Sequence, residues 1–200
     1  MKKILFAFCV LALTLPAAAQ QLETIKLKEP QLKKGTAVMK ALSLRKSTRI
    51  FSDKELDAQT VSNLLWAANG VNRPDGKRTA PSAMNRQDID VYLCNKDGAY
   101  LYNHKDHALE PVSTGNCRLR NAPVTLVLVA NAKESEKYAY MDAGIVSQNI
   151  SIFAAGMGLA TVPQGSMPQD EFKKILKLKD GQILMLNHPV GYAAETKVQK

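Results

Sequence analysis

Apolar residues recur along this chain first with a helical period and then with a strand period, and the changes of period mark its elements. Val38, Ala41 and Leu42 share one helical face, which predicts a short helix over Ala37–Leu44 with Thr36 as its cap. Asp57 is a good N-cap for a second helix through Asn69, with Val61, Leu64, Leu65 and Ala68 as its stripe and Gly70 as the C′ residue. Trp66 lies off the centre of that stripe and reads as packing. Asn72, Pro74, Asp75 and Gly76 make residues 71–80 a turn-rich loop. Ile89, Val91 and Leu93 then alternate as a strand, Asp97-Gly98 signals a hairpin, and Ala99–Tyr102 continues beyond it. Val124–Ala130 is a continuous apolar run, suited to a central strand buried on both faces. A long helix is predicted over about Tyr138–Met157, apolar almost all round at Ile145, Val146, Ile150, Ile152, Phe153 and Ala154. Such a helix is buried in a core or a subunit interface, and a homodimer built largely on it is expected. A short helix over Asp170–Leu176 and a buried strand over Ile183–Leu186 complete the pattern. There is no internal repeat and no low-complexity linker. The order predicts an α+β fold, a sheet flanked by helices.

The first 19 residues stand apart from this pattern. Lys2 and Lys3 form a basic n-region, Ile4–Leu15 an apolar core, and Ala17-Ala18-Ala19 a run of small residues. This is the design of a cleaved secretory signal peptide, with cleavage expected after Ala19 and export to the periplasm or beyond. The other reading, an uncleaved anchor, meets an apolar run short for a bilayer. A lipoprotein anchor needs a cysteine just after the cleavage site, whereas Cys9 lies inside the apolar core. Residues 20–36 are polar, contain Pro30 and Gly35, and read as an extended arm before a domain over 37–200.

The formal net charge is +9, and +7 once Lys2 and Lys3 leave with the signal. The charge is concentrated in Lys26–Lys34 and Lys173–Lys179, without the aromatic interleaving or helix motif of a nucleic-acid binder, so it reads as solvated surface. After Cys9, two cysteines remain, Cys94 and Cys117. In an oxidising compartment they are either a disulfide or two separate buried thiols, and the sequence leans to the latter. The absence of CxxC removes support for a thioredoxin-like or zinc-ribbon reading.

Hydrolytic and metal chemistry find little support. His104 and His107 lack a third ligand at suitable spacing and read as a solvated turn, and His188 reads as structural. There is no GxGxxG, no P-loop and no G-x-S-x-G.

Two polar segments carry the remaining signal. In an extended stretch Arg45, Ser47 and Arg49 share one face, with Lys46, Thr48 and Ile50 on the other. Two guanidiniums around a hydroxyl suit a phosphate, although a basic run is also the ordinary pattern of a solvated surface. Further on, Pro81-Ser82-Ala83-Met84-Asn85-Arg86-Gln87 groups small and amide side chains that suit a flat heterocycle, or equally a polar turn capping a helix at Ser82 or Asn85. The two motifs in this order resemble the nitroreductase family of flavin enzymes, including its SagB-type dehydrogenase branch. The resemblance continues through Leu64–Arg73, then Gly158–Gly165, and last Gly191-Tyr192, covering about residues 37 to 194.

What the resemblance implies is a nitroreductase-like, FMN-dependent sandwich with a central mixed sheet, built as an intertwined homodimer with flavin sites at the interface. Arg45, Ser47 and Arg49 would hold the phosphate and ribityl chain of FMN. Pro81, Ser82, Ala83 and Asn85 would reach the flavin from the partner subunit, with Gln87 nearby. Pro163, Gln164 and Gly165 would approach the ring, with backbone N–H groups near N5. Many relatives have an acidic or aliphatic residue where Gln164 stands, and a basic residue near the C-terminus for which Lys197 is the candidate. The chain has no obvious insert for a substrate lid. The implied activity is ping-pong electron transfer between small molecules with no side-chain acid or base, and a non-catalytic flavin- or anion-binding protein is the alternative.

Overall fold

Every residue of the run Val124–Ala130 is buried, and the sheet is assembled around it. The structure is a computed structural model that describes residues 21–132 and 136–195. The expected signal peptide, residues 1–19, and Lys197 lie outside the described residues. Strand β5 (Val124–Asn131) pairs with β2 (Ile89–Cys94) on one side and β7 (Gln182–Gly191) on the other. Beyond β2 come β3 (Gly98–Asn103), β4 (Ala108–Thr114) and the short β1 (Ile25–Lys26), while β6 (Ala160–Thr161) closes the far edge beside β7. All pairs between these strands are antiparallel. A parallel bridge between Ser47 and Thr161 makes the sheet mixed at its edge.

Alternation explains why a continuous apolar run was needed. Val124, Leu126, Leu128 and Ala130 enter one core together with Ile89, Val91 and Leu93. Val127 and Val129 enter a second core on the opposite face with Tyr92 and Cys94. The first core is covered by α1 (Val38–Leu44), α2 (Ala58–Asn69) and α3 (Glu136–Gly156). The second is covered by α4 (Gln169–Ile175) through Phe172, with Leu176 just beyond it. The α+β sandwich expected from the pattern is therefore present.

Several local expectations are corrected. Thr36 caps nothing: Ala37 is the N-cap of α1, and the Thr36 N–H donates to the Gly156 carbonyl, 3.1 Å away. Of the expected apolar face of α1 only Ala41 is buried, while Val38 is 64% exposed. Asp57 caps α2 as expected, accepting from the Thr60 N–H at 2.8 Å, and that bond holds its carboxyl below the usual range. Gly70 is not a left-handed C′ residue. Its φ is −78°, and a side chain is excluded because a Cβ would lie 2.8 Å from the Trp66 backbone. Strand β4 escaped the pattern because Pro111 sits within it, at a register shift between Ala99 and Tyr100 of β3. Strand β7 runs on through Asn187, His188 and Pro189, well past Leu186.

Helix α3 is not buried all round. Its inner face carries Asp142, Ser147 and Ser151 among Ala139, Ala143, Val146, Ile150 and Ala154, while Tyr140 and Met141 are exposed. The β3–β4 turn is not a solvated pair of histidines. His107 contacts Tyr102 Oη at 2.8 Å and Ser62 Oγ at 2.9 Å, and His104 takes a hydrogen bond from Arg78 at 2.9 Å. Burial and the Arg78 charge push His104 down to about 4, so it is the neutral acceptor. Cys94 and Cys117 are both buried as free thiols, yet they are not separate: they share one core cluster, and the Cys117 N–H donates to the carbonyl of Asn95, the residue after Cys94.

His188 is fully buried in the middle of β7. Thr161 donates its hydroxyl proton to the Pro189 carbonyl at 2.9 Å, so the 3.3 Å contact with His188 assigns the proton to Nδ1. Nε2 then accepts from Ser147 at 2.8 Å. Burial pushes His188 down to about 4, below its value of about 6.5 in an unfolded chain. A depressed value contributes stability that is present above pH 6.5 and lost as pH falls toward 4, about 3 kcal/mol in full. Urea midpoints for wild type and His188→Gln at pH 7 and pH 4.5 check this. The wild type is more stable at pH 7 and loses more of its stability on acidification; parallel losses in the two proteins contradict it.

Candidate functional site

The basic strip leaves the C-terminus of α1 and runs along the sheet's edge. Arg45 is the C-cap residue of α1, its N–H bonded to Ala41. Ser47 then bridges Thr161, the Thr48 N–H donates to the Thr161 carbonyl at 2.9 Å, and Phe51 bridges Ala193. These pairings draw the strip out as an extended segment, which is what the alternating reading required. Residues 46–50, Ser47 and Arg49 among them, border a recess of about 450 Å³ together with Ala193–Glu195. Lys46 and Thr48 also border a cavity of about 200 Å³ under Ser151 and Ala154 of α3. Arg45 borders neither, Lys46 and Thr48 border both, and Ile50 borders the larger, so the recess does not divide the strip into a phosphate face and an opposite face as alternation alone suggests.

Beyond Thr161 the chain continues into Pro163, Gln164 and Gly165. Asn187 holds this turn. Its N–H and carbonyl pair with the Gln164 carbonyl and N–H at 2.8 and 2.9 Å, and its Nδ2 donates to Gln164 and Ser166 carbonyls at 3.1 Å. The Gln164 N–H is thus committed, and proline has none. Gly165 keeps the one backbone N–H of the three that no bond among the described residues takes. The Gln164 side-chain oxygen accepts from Arg120 Nε at 2.7 Å. Arg120 and Asn121 both have φ of 54°, a left-handed conformation costly for residues with side chains. At the end of the same edge Gly191 tolerates no side chain, since a Cβ would lie 2.5 Å from the Pro123 ring.

The segment Pro81–Gln87 lies elsewhere. It forms a tight turn whose Met84, Asn85 and Gln87 all have positive φ. Ser82 does not cap a helix; its Oγ accepts from the Gln87 N–H at 2.8 Å and closes the turn. The Ala83 N–H is held by both oxygens of Asp142 at 3.0 and 3.1 Å, and Arg86 stacks over the Tyr138 ring at 5.2 Å. The space on the inner side, between Ser82, Asp88 and Asp142, is only about 10 Å³. The free side, with Asn85 and Met84 exposed, faces outward. This turn sits on α3 at Asp142, whereas the basic strip meets α3 at Ser151 and Ala154. Asp142 and Ala154 are about 18 Å apart along the helix. The strip and Pro163–Gly165 therefore come together, and Pro81–Gln87 does not join them within one chain.

Sequence reasoning missed Asp142, Asp88, Asn187 and Arg120. The signal for Asp142 was present: a carboxylate within a helix read as buried requires a partner. The other three are visible only through pairing. Among the described residues no cluster of three or more His, Cys, Asp or Glu is placed to hold a metal ion. Ser62 and His107 are in contact, but Ser62 is fully buried and its hydroxyl also bonds the Lys28 carbonyl, so they form no exposed nucleophile.

A model of the nitroreductase family matches residues 42–192. The chain belongs to the nitroreductase family. With that membership it is an oxidoreductase. It is 33% identical to a "putative nitroreductase" of solved structure from Ralstonia eutropha JMP134, with a TM-score of 0.83 over 90% of this chain and 94% of that one. It is 27% identical, over 76% of its length and 88% of the other's, to a "putative nitroreductase" of Methanocaldococcus jannaschii. An FMN-dependent nitroreductase from Clostridium difficile R20291 shares the fold at a TM-score of 0.57, with 18% identity over 80% of this chain and 89% of that one.

Burial, and then the charge of and hydrogen bond with Asp142, raise Asp88 above the usual carboxyl range. A raised value contributes stability that is present at low pH and lost as pH rises through the folded value. Asp88→Asn is accordingly neutral or stabilising at pH 8. Asp142→Ala costs about 1.5–3 kcal/mol, because the Ala83 N–H loses both oxygens that accept from it. Denaturant unfolding of both variants at pH 8 checks this; a loss in Asp88→Asn equal to that in Asp142→Ala contradicts it.

Proposed function

We propose that the chain is an exported, FMN-dependent oxidoreductase of the nitroreductase type, similar to the SagB-type branch, working as a homodimer. The observation that carries the reading is the meeting of Ser47 and Arg49, at a recess of about 450 Å³, with the Pro163–Gly165 turn through the Thr161 bridge. The donors there fit FMN: a guanidinium and a hydroxyl for the phosphate, and an uncommitted Gly165 N–H for an acceptor atom of the ring. FMN, when bound, supplies the two-electron redox chemistry. The chain's own residues bind and orient it. Ser47 and Arg49 take the phosphate end, Arg45 lies outside the recess at the end of α1, and Asn187 fixes the turn that presents Gly165. A donor and an acceptor occupy the same open site in turn, which is a ping-pong scheme, and no side-chain acid or base is assigned.

The homodimer follows from the divided site. Pro81, Ser82, Ala83, Asn85 and Gln87 sit about 18 Å along α3 from the phosphate strip, so a second copy is the source of a turn that closes over the ring. The exposed apolar residues Val38, Met39, Leu42 and Leu44 of α1 and Tyr140 and Met141 of α3 supply a surface for that copy to cover. Export rests on the basic, apolar and small-residue order of residues 1–19.

Three measurements test the reading. Titration of the flavin-free protein with FMN, followed by fluorescence quenching, is expected to show a ten- to a hundredfold loss of affinity in Arg49→Ala. Lys173→Ala, on α4 against the opposite face of the sheet from α3, leaves affinity unchanged. Equal binding by all three proteins contradicts the phosphate assignment. Sedimentation at micromolar concentration gives twice the monomer mass; a monomer that holds flavin stoichiometrically contradicts the shared site. Bleaching of the yellow protein by dithionite with recovery in air, and turnover with a donor and an acceptor, separate the enzyme from a passive carrier.

A further inference from the structure

The flavin reading makes no use of Cys94 and Cys117. Cys94 is the last residue of β2 and is fully buried, while Cys117 lies in the connection from β4 to β5 and is 5% exposed. Both belong to the core under α4, with Tyr92, Ala99, Val127, Phe172 and Leu176. Cys117 is bonded through its backbone to Asn95, the residue that follows Cys94, so the two thiols lie in one buried cluster. The connection is pinned so as to keep them there. The Cys117 N–H donates to the Asn95 carbonyl at 3.2 Å, its Sγ reaches the same oxygen at 3.9 Å, and the Gly115 N–H donates to Asp97 at 2.9 Å. A metal does not explain the pair, since among the described residues no third ligand joins it.

We propose that Cys94 and Cys117 are a disulfide-forming pair that closes to a cystine by exchange with an external disulfide, either oxidised glutathione or an oxidised dithiol protein. Cys117 attacks first. It is the less buried, and the neighbouring Cys94 thiol lowers its pKa, while the Cys117 contact and then burial raise that of Cys94. Its thiolate bonds to one sulfur of the external disulfide and releases the other half as a thiol. Cys94 then displaces the second half. Two S–H bonds and the external S–S bond are lost; one S–S bond in the chain and two external thiols are gained. The chain is oxidised by two electrons and the external disulfide is reduced by two.

The bond closes a loop of about 23 residues holding the β3–β4 hairpin and fastens the connection that leads to Arg120. Arg120 in turn holds Gln164 beside the proposed flavin site. The cystine is therefore a staple for one rim of that site, and its formation does not depend on flavin.

The full chain carrying Cys9→Ser has these two thiols alone. It is incubated with oxidised glutathione, denatured, treated with N-ethylmaleimide and weighed by mass spectrometry. The expected product is unalkylated, lighter by two hydrogen atoms, and yields a Cys94–Cys117 peptide pair that dithiothreitol separates. Its melting temperature is roughly 5–12 °C above that of the reduced protein. Adding Cys94→Ser abolishes both the linked peptides and the redox-dependent shift. Two alkylated cysteines, a glutathione adduct on each, or a disulfide-linked dimer overturns the proposal. A bond that forms without raising the melting temperature overturns its role as a staple.

Discussion

Two residues at the edge of the sheet, Ala160 and Thr161, position almost everything the site contains. They pair with Gly191 and Val190 of β7 on one side. On the other, Thr161 receives Ser47 and Thr48, and so fixes the basic strip against the fold. The chain then turns directly into Pro163–Gly165. One short strand therefore sets the spacing between the proposed phosphate donors and the turn proposed to face the ring. Its strength does not come from length, since two residues form few ladder bonds. It comes from buried cross-bonds, Thr161 to Pro189 and His188, and His188 to Ser147 of α3. Each is a polar group that would be costly to leave unpaired so deep in the protein, which makes the arrangement hard to shift piecemeal.

The same principle recurs wherever a site segment leaves regular structure. Asp142 holds Ala83, Asn187 holds Gln164 and Ser166, and Arg78 bonds the Ile89 carbonyl just after the Pro81–Gln87 turn. None of these groups needs to touch a ligand. They supply bonds that the turns cannot make within themselves. Five of the seven non-glycine residues with positive φ among the described residues lie in or against these segments, Met84, Asn85, Gln87, Arg120 and Asn121, with His107 and Lys177 elsewhere. Such backbone is retained only where its surroundings over-determine it. The polar contacts just named are that surrounding structure.

What the sequence discloses follows from the range of the interactions involved. The caps, periods and apolar runs are local, so Asp57, Val124–Ala130 and the helices were legible. The gaps have local causes too: Pro111 disguised β4, and Pro189 together with His188 broke the apolar signal of β7. The character of Gly70 was misread because glycine serves two ends, left-handed backbone and close approach, and sequence alone does not separate them. The basic strip was legible because an extended segment has a fixed alternation. Its real surroundings were not, since Lys46 borders both recesses only because α3 and residues 193–195 pack on either side of it. Asp88, Asn187, Arg120 and the meeting of Cys94 with Cys117 arise from contacts across the sheet and its loops. No short window of sequence contains them.

Helix α3 gives the fold its functional asymmetry. Its inner face is spent on the core and on polar anchors, and its length separates the turn held at Asp142 from the strip near Ala154. A longer loop could have brought Pro81–Gln87 back across that distance, but the turn is fixed to the helix by Asp142 and by the Arg86–Tyr138 stack. Within one chain the two halves of the proposed site are thus prevented from meeting by the same bonds that make each half rigid. An antiparallel second copy would remove the conflict without loosening either half, because it places one end of α3 beside the other end of its partner. The exposed apolar residues of α1 and of the first turns of α3 lie on the surface such a partner would cover. Under the proposed function, oligomerisation is a consequence of how the turn is anchored.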